Sequence, residues 1–399
     1  MTPWLSILGI GEDGVAGLTP AARALLAQAT FVVGGARHLA LLGETPSETL
    51  VWPSPLTGAL DAIAARRGAS VVVLASGDPF FYGVGDLLAR HVARDEIICI
   101  PAPSAFSLAA ARMKWSQQDC ASLSLHGRAF ERITPHLQPR ARVLALSWDE
   151  TTPARVAAHL VALGMGASRL TVLEHLGGPR ERLRESRADA FALGDIAALN
   201  MLAIEVEAPP GARTIPLTPG LPDDWFENDG QLTKRDIRAV TLCALAPRKG
   251  EMLWDVGAGS GSIGIEWMLA DPANRTIAIE PHPERAARIA RNAAALGAPG
   301  LEIVQARAPA ALDNLAPPDA VFIGGGGGDV VAAVWERIPI HTRLVANAVT
   351  LETQSSITRF FADRGGELAH LQVAHARPVG GYHALDPAMA VLQWRGVKR

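Results

Sequence analysis

The sequence predicts an α/β protein of two domains, and three observations carry that expectation. From Met252 onward, apolar strand-like runs alternate with amphipathic helical stretches. One such run turns through Gly257-Ala258-Gly259-Ser260-Gly261 into a helix. Upstream, Pro209, Pro210, Pro216, Pro219 and Pro222 gather with Gly211 and Gly220 in a stretch without periodicity. Alternation of this kind builds a doubly wound parallel sheet, glycines before a helix let backbone amides approach a ligand, and proline-glycine composition suits a linker. At 399 residues the chain exceeds one ordinary core. The expected domains are 1–208 and 223–399, joined by a linker over 209–222.

Composition narrows the function classes. A net charge of -3 with interspersed signs provides no basic stripe, so nucleic acid is not an expected partner. Cys99, Cys120 and Cys243 lie far apart without C-x-x-C spacing, which argues against a disulfide framework or a metal site and for buried, inert thiols. No apolar run reaches the ~18 residues of a membrane span, and the first apolar run has no basic region before it. A soluble, cytoplasmic protein with a small-molecule substrate is expected, assembled as a homo-oligomer.

Taken in order, Trp4 to Gly11 reads as a strand ending in a glycine loop, and Thr19-Pro20 opens a helix reaching Ala29. Phe31 to Gly35 and Ser70 to Ala75 are further strands, with a helix over Pro55 to Arg67 between them. The latter strand discharges into Ser76-Gly77-Asp78-Pro79, before a helix over Asp86 to Val92. Loops at the carboxyl ends of parallel strands are where open sheets bind ligands. After a strand over Glu96 to Ile100, Pro101-Ala102-Pro103-Ser104-Ala105 marks a subdomain hinge and the start of a helix to Met113. Strands over Ser122 to Arg128, Arg142 to Trp148, Leu170 to His175 and Asn200 to Glu207 predict a second α/β layer. Beyond the linker, Thr233 is the expected N-cap of a helix to Leu245. The remaining strands are Met252 to Val256, Thr276 to Glu280, Leu301 to Gln305, Ala320 to Ile323 and Leu344 to Ala348. Gln372 to Ala376 and Ala388 to Trp394 read as an antiparallel pair added at one edge.

In the C-terminal half, Glu280 stands at a strand tip about 20 residues past the glycine loop, where a carboxylate accepts hydrogen bonds from a ribose. That pairing suits NAD or S-adenosylmethionine. The spacing Asp255-Val256-Gly257-Ala258-Gly259-Ser260-Gly261 resembles the D-x-G-x-G-x-G of class I S-adenosylmethionine methyltransferases, which implies a Rossmann-like sheet. With Asp223-Asp224-Trp225-Phe226, Leu232 to Arg238, Glu280 to Glu284, Ala306 to Leu312, Ile323 to Gly328 and Thr350 to Thr353, nearly everything after the linker is similar to the decarboxylating precorrin methyltransferases of cobalamin synthesis. The resemblance implies that Thr233, Gly257, Ala258, Gly259, Ser260, Gly261, Glu280, Ala308 and Gly324 contact the cofactor, with Gly325 beside the substrate. Arg307 occupies a position where that family commonly has an acid.

The N-terminal half carries Leu8 to Gly14, Ser76-Gly77-Asp78-Pro79 and Pro103 to Ser107, and resembles the tetrapyrrole methylase family, a different S-adenosylmethionine fold of two α/β subdomains. Val33 to Leu39 and Ser124 to Arg128 look like the branch that methylates a precorrin at carbon 5. Gly9, Gly77, Asp78, Ser104 and Ala105 are the implied cofactor contacts. Glu12 and Asp13 stand where the family's loop has proline and glycine.

Two methyltransferase folds in one chain imply two S-adenosylmethionine sites acting on a precorrin tetrapyrrole. The combination resembles the enzymes that methylate carbons 5 and 15 of precorrin-6Y and remove carbon dioxide from an acetate side chain, giving precorrin-8. In-line displacement at a sulfonium needs alignment and exclusion of water, so no nucleophile is expected. The substrate's carboxylates call for cations: Arg37, Arg112 and Arg128 in the first half, Lys234 and Arg307 in the second. Glu352 is the candidate for moving a proton. Two other readings use the same residues: a nucleotide-dependent oxidoreductase, and a single active C-terminal methyltransferase whose N-terminal half only binds the tetrapyrrole.

Overall fold

A computed structural model describes residues 3–325 and 328–399. The chain divides into two compact units, Met1–Arg128 with His136–Thr214, and Ala129–Pro135 with Ile215–Arg399.

The first unit holds two five-stranded sheets. One contains β1 (Leu5–Ile10), β2 (Phe31–Gly34), β3 (Glu48–Val51), β4 (Val71–Ser76) and β5 (Ile97–Ile100), all parallel, in the order β3-β2-β4-β1-β5. Every residue of β1 and β2 is buried, as continuous apolar runs in a covered parallel sheet must be. The helices α1 (Pro20–Ala27), α2 (Ala36–Leu42), α3 (Leu60–Ala64) and α4 (Gly85–Ala89) connect these strands. Thr19 caps α1 by accepting from the Ala22 amide, with Pro20 at the first helical position.

Helix α5 (Ala105–Met113), capped by Ser104, leads into the second sheet. Its strands are β6 (Cys120–Ser124), β7 (Arg142–Leu146), β8 (Arg169–Glu174), β9 (Arg182–Arg187) and β10 (Asn200–Glu205), with α6 (Thr152–Ala162) between β7 and β8. The order is β6-β7-β10-β8-β9, and only β6 and β7 run parallel. The layer is therefore a mixed sheet, and its edge strand β9, whose residues are mostly charged and exposed, lacks the apolar signal that marks a strand in sequence.

In the second unit the proline-rich stretch is anchored by its apolar residues. Ile215 and Leu221 are buried with Phe226, Ile265 and Ile289. The amides of Gly220 and Leu221 donate to the buried Glu266 carboxylate, which also pairs with the fully buried Arg238 of α7 (Arg235–Leu245). The linker thus packs as part of this unit from Ile215 onward. Lys234, not Thr233, is the N-cap of α7, and no side chain caps it. The Thr233 carbonyl instead accepts from Arg238.

The third sheet runs β13-β12-β11-β14-β15-β19-β16. Its parallel strands are β11 (Met252–Val256), β12 (Arg275–Ile279), β13 (Glu302–Val304), β14 (Ala320–Ile323) and β15 (Arg343–Ala348), alternating with α8 (Ser262–Ala270), α9 (Pro283–Ala295) and α10 (Gly328–Arg337). After α11 (Leu351–Arg364) come β16 (Glu367–Leu371), β17 (Ala374–Val379), β18 (Tyr382–Pro387) and β19 (Val391–Val397). The final strand inserts antiparallel between β15 and β16, while β17 and β18 pair only with each other. This corrects the expected pairing of Gln372–Ala376 with Ala388–Trp394. Trp394 of β19 meets Trp335 and Phe360 edge-on, with ring centroids 5.0–5.5 Å apart, so aromatic packing holds the inserted strand.

Strand order reverses between β11 and β14, which leaves a crevice at their carboxyl ends. Of the three thiols, Cys99 and Cys120 are half-buried and Cys243 is exposed, which corrects the expectation that all three are buried. No described helix is long and apolar enough to cross a membrane.

Candidate functional site

The C-terminal site begins where β11 ends. Gly257, Gly259 and Gly261 all adopt left-handed backbone, with φ of 72°, 60° and 76°. A Cβ on Gly257 would lie 3.0 Å from the Gly325 backbone, and one on Gly261 would lie 2.8 Å from Ile289 Cγ2. Two acids fix this loop. Asp255 Oδ2 accepts from the Gly264 amide at 3.0 Å, holding the first turn of α8, which has no side-chain cap. Glu280, buried at the tip of β12, accepts from the Gly259 amide at 2.9 Å and the His282 amide at 3.1 Å.

Each Glu280 oxygen has a second lone pair, so the carboxylate that shapes the loop retains capacity for a ligand hydroxyl. Asp255 is fully buried and its Oδ1 has no partner among the described residues. Burial pushes its pKa up to about 7; the Gly264 hydrogen bond opposes that rise and the Glu280 charge adds to it.

The loop opens onto a cavity of about 1050 Å³. Thr233, Lys234, Gly257, Ala258, Gly259, Glu280, Ala308, Gly324 and Gly325 all line it, as does Arg307. Lys234 and Arg307 are exposed and have no acidic partner among the described residues. By contrast, Arg285 on the same wall pairs with Asp229 at 2.8 Å. Ser260 and Gly261 stand behind the wall: the Ser260 side chain is buried, and its carbonyl accepts from Asn292. Glu352 does not reach the cavity. It is exposed in the first turn of α11, apart from the residues that line this pocket. The glycine run Gly324 to Gly328 is described at Gly324 and Gly325 and from Gly328; Gly326 and Gly327 lie outside the described residues.

The N-terminal site forms where β1, β4 and the loop before α5 converge. A Cβ on Gly9 would lie 2.0 Å from the Gly77 carbonyl oxygen and 2.3 Å from the Ala102 nitrogen. Gly77 has φ of 55°, and its own Cβ would lie 2.8 Å from Ser104 Cα. Gly9 and Gly77 therefore exist to let three backbones meet. Asp78 accepts from the Phe80 amide at 2.9 Å, Ser104 caps α5, and Ala105 is that helix's first residue.

Glu12, only 10% exposed, ion-pairs with Arg37 of α2 and accepts from His175 Nδ1 at 3.3 Å, just past β8 of the other sheet. Arg37 donates to Ser76 Oγ at 2.7 Å and lies 3.0 Å from His38 Nε2. A guanidinium cannot accept, so Nε2 accepts and His38 is neutral. Burial and, after it, the Arg37 charge lower the His38 pKa to about 4 against the opposing Glu12 charge.

Of the three arginines expected to hold substrate here, Arg37 is engaged by Glu12 and Ser76. Arg112 is engaged bidentately by Glu181. Arg128 lies over the Tyr82 ring at 5.2 Å without an acidic partner among the described residues. The first two are thereby paired with carboxylates of the protein. Sequence reasoning passed over Asp255 and Glu12 as working residues, although both stand inside the quoted loops. His175 gave no signal, because its partner lies 163 residues away.

Residues 224–398 match the family model described as the precorrin methyltransferase domain, and residues 5–192 match that of the tetrapyrrole (corrin/porphyrin) methylases. The chain is 53% identical over 401 residues to the precorrin-6Y C(5,15)-methyltransferase (decarboxylating) of Sinorhizobium sp, covering 100% of this chain and 97% of that one. A cobalt-precorrin-7 C(5)-methyltransferase of Salmonella typhimurium is 35% identical over 182 residues, 45% of this chain and 88% of its own. A probable cobalt-precorrin-6B C(15)-methyltransferase (decarboxylating) of Pyrobaculum calidifontis is 32% identical over 185 residues, 44% of this chain and 95% of its own.

Proposed function

We infer a division of labour for a chain that belongs to the decarboxylating precorrin-6Y C(5,15)-methyltransferase family. The chain is a decarboxylating methyltransferase of cobalamin biosynthesis acting on a precorrin. Within that activity, the C-terminal site methylates carbon 15 and releases carbon dioxide from the acetate side chain, and the N-terminal site methylates carbon 5, giving precorrin-8. Relatives named for each methylation alone, each similar to under half of this chain, support the split. The observation that carries the reading is the acid-pinned glycine loop opening on a large cavity with unpaired cations on its wall.

The residues present fit S-adenosylmethionine. In the C-terminal site, Gly257 to Gly259 offer backbone where any Cβ at Gly257 would collide, Glu280 offers spare acceptor capacity, and Thr233 and Ala308 complete the wall. When bound, the cofactor supplies a sulfonium methyl group for in-line displacement. Lys234 and Arg307 hold substrate carboxylates by charge-assisted hydrogen bonds, and Gly324 and Gly325 admit the ring edge closely. The walls of the cavity exclude water from the departing carboxylate, while the substrate's own conjugated ring accepts the electron pair left by carbon dioxide. In the N-terminal site Gly9, Gly77, Ser104 and Ala105 form the second cradle.

Three free cysteines without a disulfide support a reducing, cytoplasmic setting. The exposed apolar residues of the β17–β18 ribbon, Tyr382 and Leu385, support a homo-oligomer. Mass analysis of the products from precorrin-6Y and S-adenosylmethionine tests the whole reading. Two methyl gains with one loss of carbon dioxide are expected; saturable NAD binding with no methyl gain would instead select the oxidoreductase.

A further inference from the structure

Large aromatic side chains ordinarily bury most of their surface, yet the first unit exposes several of them. Tyr82 is 42% and Trp148 54% exposed. They stand on loops that follow the carboxyl ends of β4 and β7, and Arg128 stands on the loop that follows β6. Tyr82 sits in left-handed backbone, with φ of 59°, which a tyrosine rarely adopts. Its hydroxyl donates to the Ser122 carbonyl at 3.1 Å, and its ring packs on Phe81 and on the buried Phe106. The ring is thus held in place while the residue stays exposed. Arg128 covers part of that face from 5.2 Å. Two residues before it, the His126 ring stacks on Trp148 at 5.7 Å with 33° between planes. The cation on Tyr82 and the ring on Trp148 thus come from one short loop, two residues apart.

The charge pattern selects an occupant. Arg37 and Arg112 are neutralised by Glu12 and Glu181, whereas Arg128, beside the rings, has no carboxylate partner among the described residues. Flat rings with a free guanidinium at their margin complement a flat, conjugated molecule that bears carboxylates at its periphery. We propose that Tyr82, Trp148 and Arg128 form the substrate-specificity surface of the N-terminal half, the rings stacking on one face of the tetrapyrrole and Arg128 gripping a peripheral carboxylate. The assignment rests on the reading of this half as a methyl-transfer site.

The test uses the full chain with precorrin-6Y and S-adenosylmethionine. Both methyl gains are followed by mass, with decarboxylation in the same reaction as the internal reference. Trp148→Leu and Arg128→Gln each raise the precorrin KM of the non-decarboxylating methylation about tenfold, the scale of one lost stacking or charge-assisted contact. They leave its S-adenosylmethionine KM within about twofold, a split that a folding defect would not give. Trp148→Phe restores most of the affinity. A metal-free porphyrin octacarboxylate quenches tryptophan emission of the wild-type chain, and the quench shrinks in Trp148→Phe. An unchanged precorrin KM in both variants overturns the proposal, as does an equal rise in both KM values; the unchanged result would leave these residues as a surface for another protein. If the wild-type chain itself gains only one methyl group, the underlying reading of the N-terminal half fails instead, and the two failures are distinct.

Discussion

Both halves of the chain use glycine to pack one backbone closely against another, but they place the stabilising acid differently. In the C-terminal site Glu280 and Asp255 lie on neighbouring parallel strands and pin a loop of the same sheet. In the N-terminal site Glu12 lies inside the loop itself and joins it to Arg37 on one side and to His175, beyond β8 of the second sheet, on the other. The first arrangement is local and makes a rigid cradle. The second makes the cradle depend on the packing of two sheets. Glu12 stands where the resembled family has turn residues and ties the loop across the two sheets, which gives the altered loop a structural purpose.

The largest effects are expected at the glycines. Gly9→Ala places a Cβ against backbone on two sides, and the non-decarboxylating methylation should fall by about 100-fold or more, the scale of a 1 Å displacement at a reacting centre. Gly259→Ala meets only the Gln231 carbonyl at 3.2 Å, so carbon dioxide release should fall far less, by about tenfold, mainly through the left-handed backbone. Product mass spectra resolve both. Next come the acids. Glu280→Gln removes the charge that accepts two amides and should raise the S-adenosylmethionine KM of the decarboxylating step by about tenfold or more. Glu12→Gln should slow only the other step.

The two sites also carry opposite pH signatures. Asp255 is raised to about 7, so between about pH 4 and 7 the folded state binds more protons than the unfolded one and stability falls as pH rises. His38 is lowered to about 4, so between about pH 4 and 6.5 the unfolded state binds more protons and stability rises with pH. The Asp255 contribution is of the order of a few kcal/mol, and that of His38, partly screened, about 1–2 kcal/mol. Urea unfolding across this range should lose the downward slope in Asp255→Asn and the upward slope in His38→Gln. The smallest effects belong to Arg112→Gln and Glu352→Gln. Arg112 is already held by Glu181, and Glu352 stands outside the cavity, so neither substitution should change either KM by more than about twofold.

The sequence made the central parallel strands and glycine loops legible because each is written within a few neighbouring residues. Thr276 to Glu280 is a buried run ending in an acid, and its register with the loop follows from βαβ geometry. Pairings made across long stretches of chain are silent in that way. Nothing local in Val391–Val397 says that it enters between β15 and β16, and nothing in Arg182–Arg187 offers the apolar alternation of a strand. The same limit governs the site. Lys234 and Arg307 line the cavity beside motifs written in the same short stretches, but the pairing of Arg37 with Glu12 and of Arg112 with Glu181 depends on contacts 25 and 69 residues distant in sequence. The exposure of Trp148 is equally invisible, since a tryptophan after an apolar strand looks like core.

The central claim is that two independent methyl-transfer sites share one chain. The most direct measurement is the product mass obtained from precorrin-6Y by the full-length Gly9→Ala chain at saturating S-adenosylmethionine. The account predicts one methyl gain together with loss of carbon dioxide. Two methyl gains, or loss of decarboxylation along with the second methyl, would contradict it.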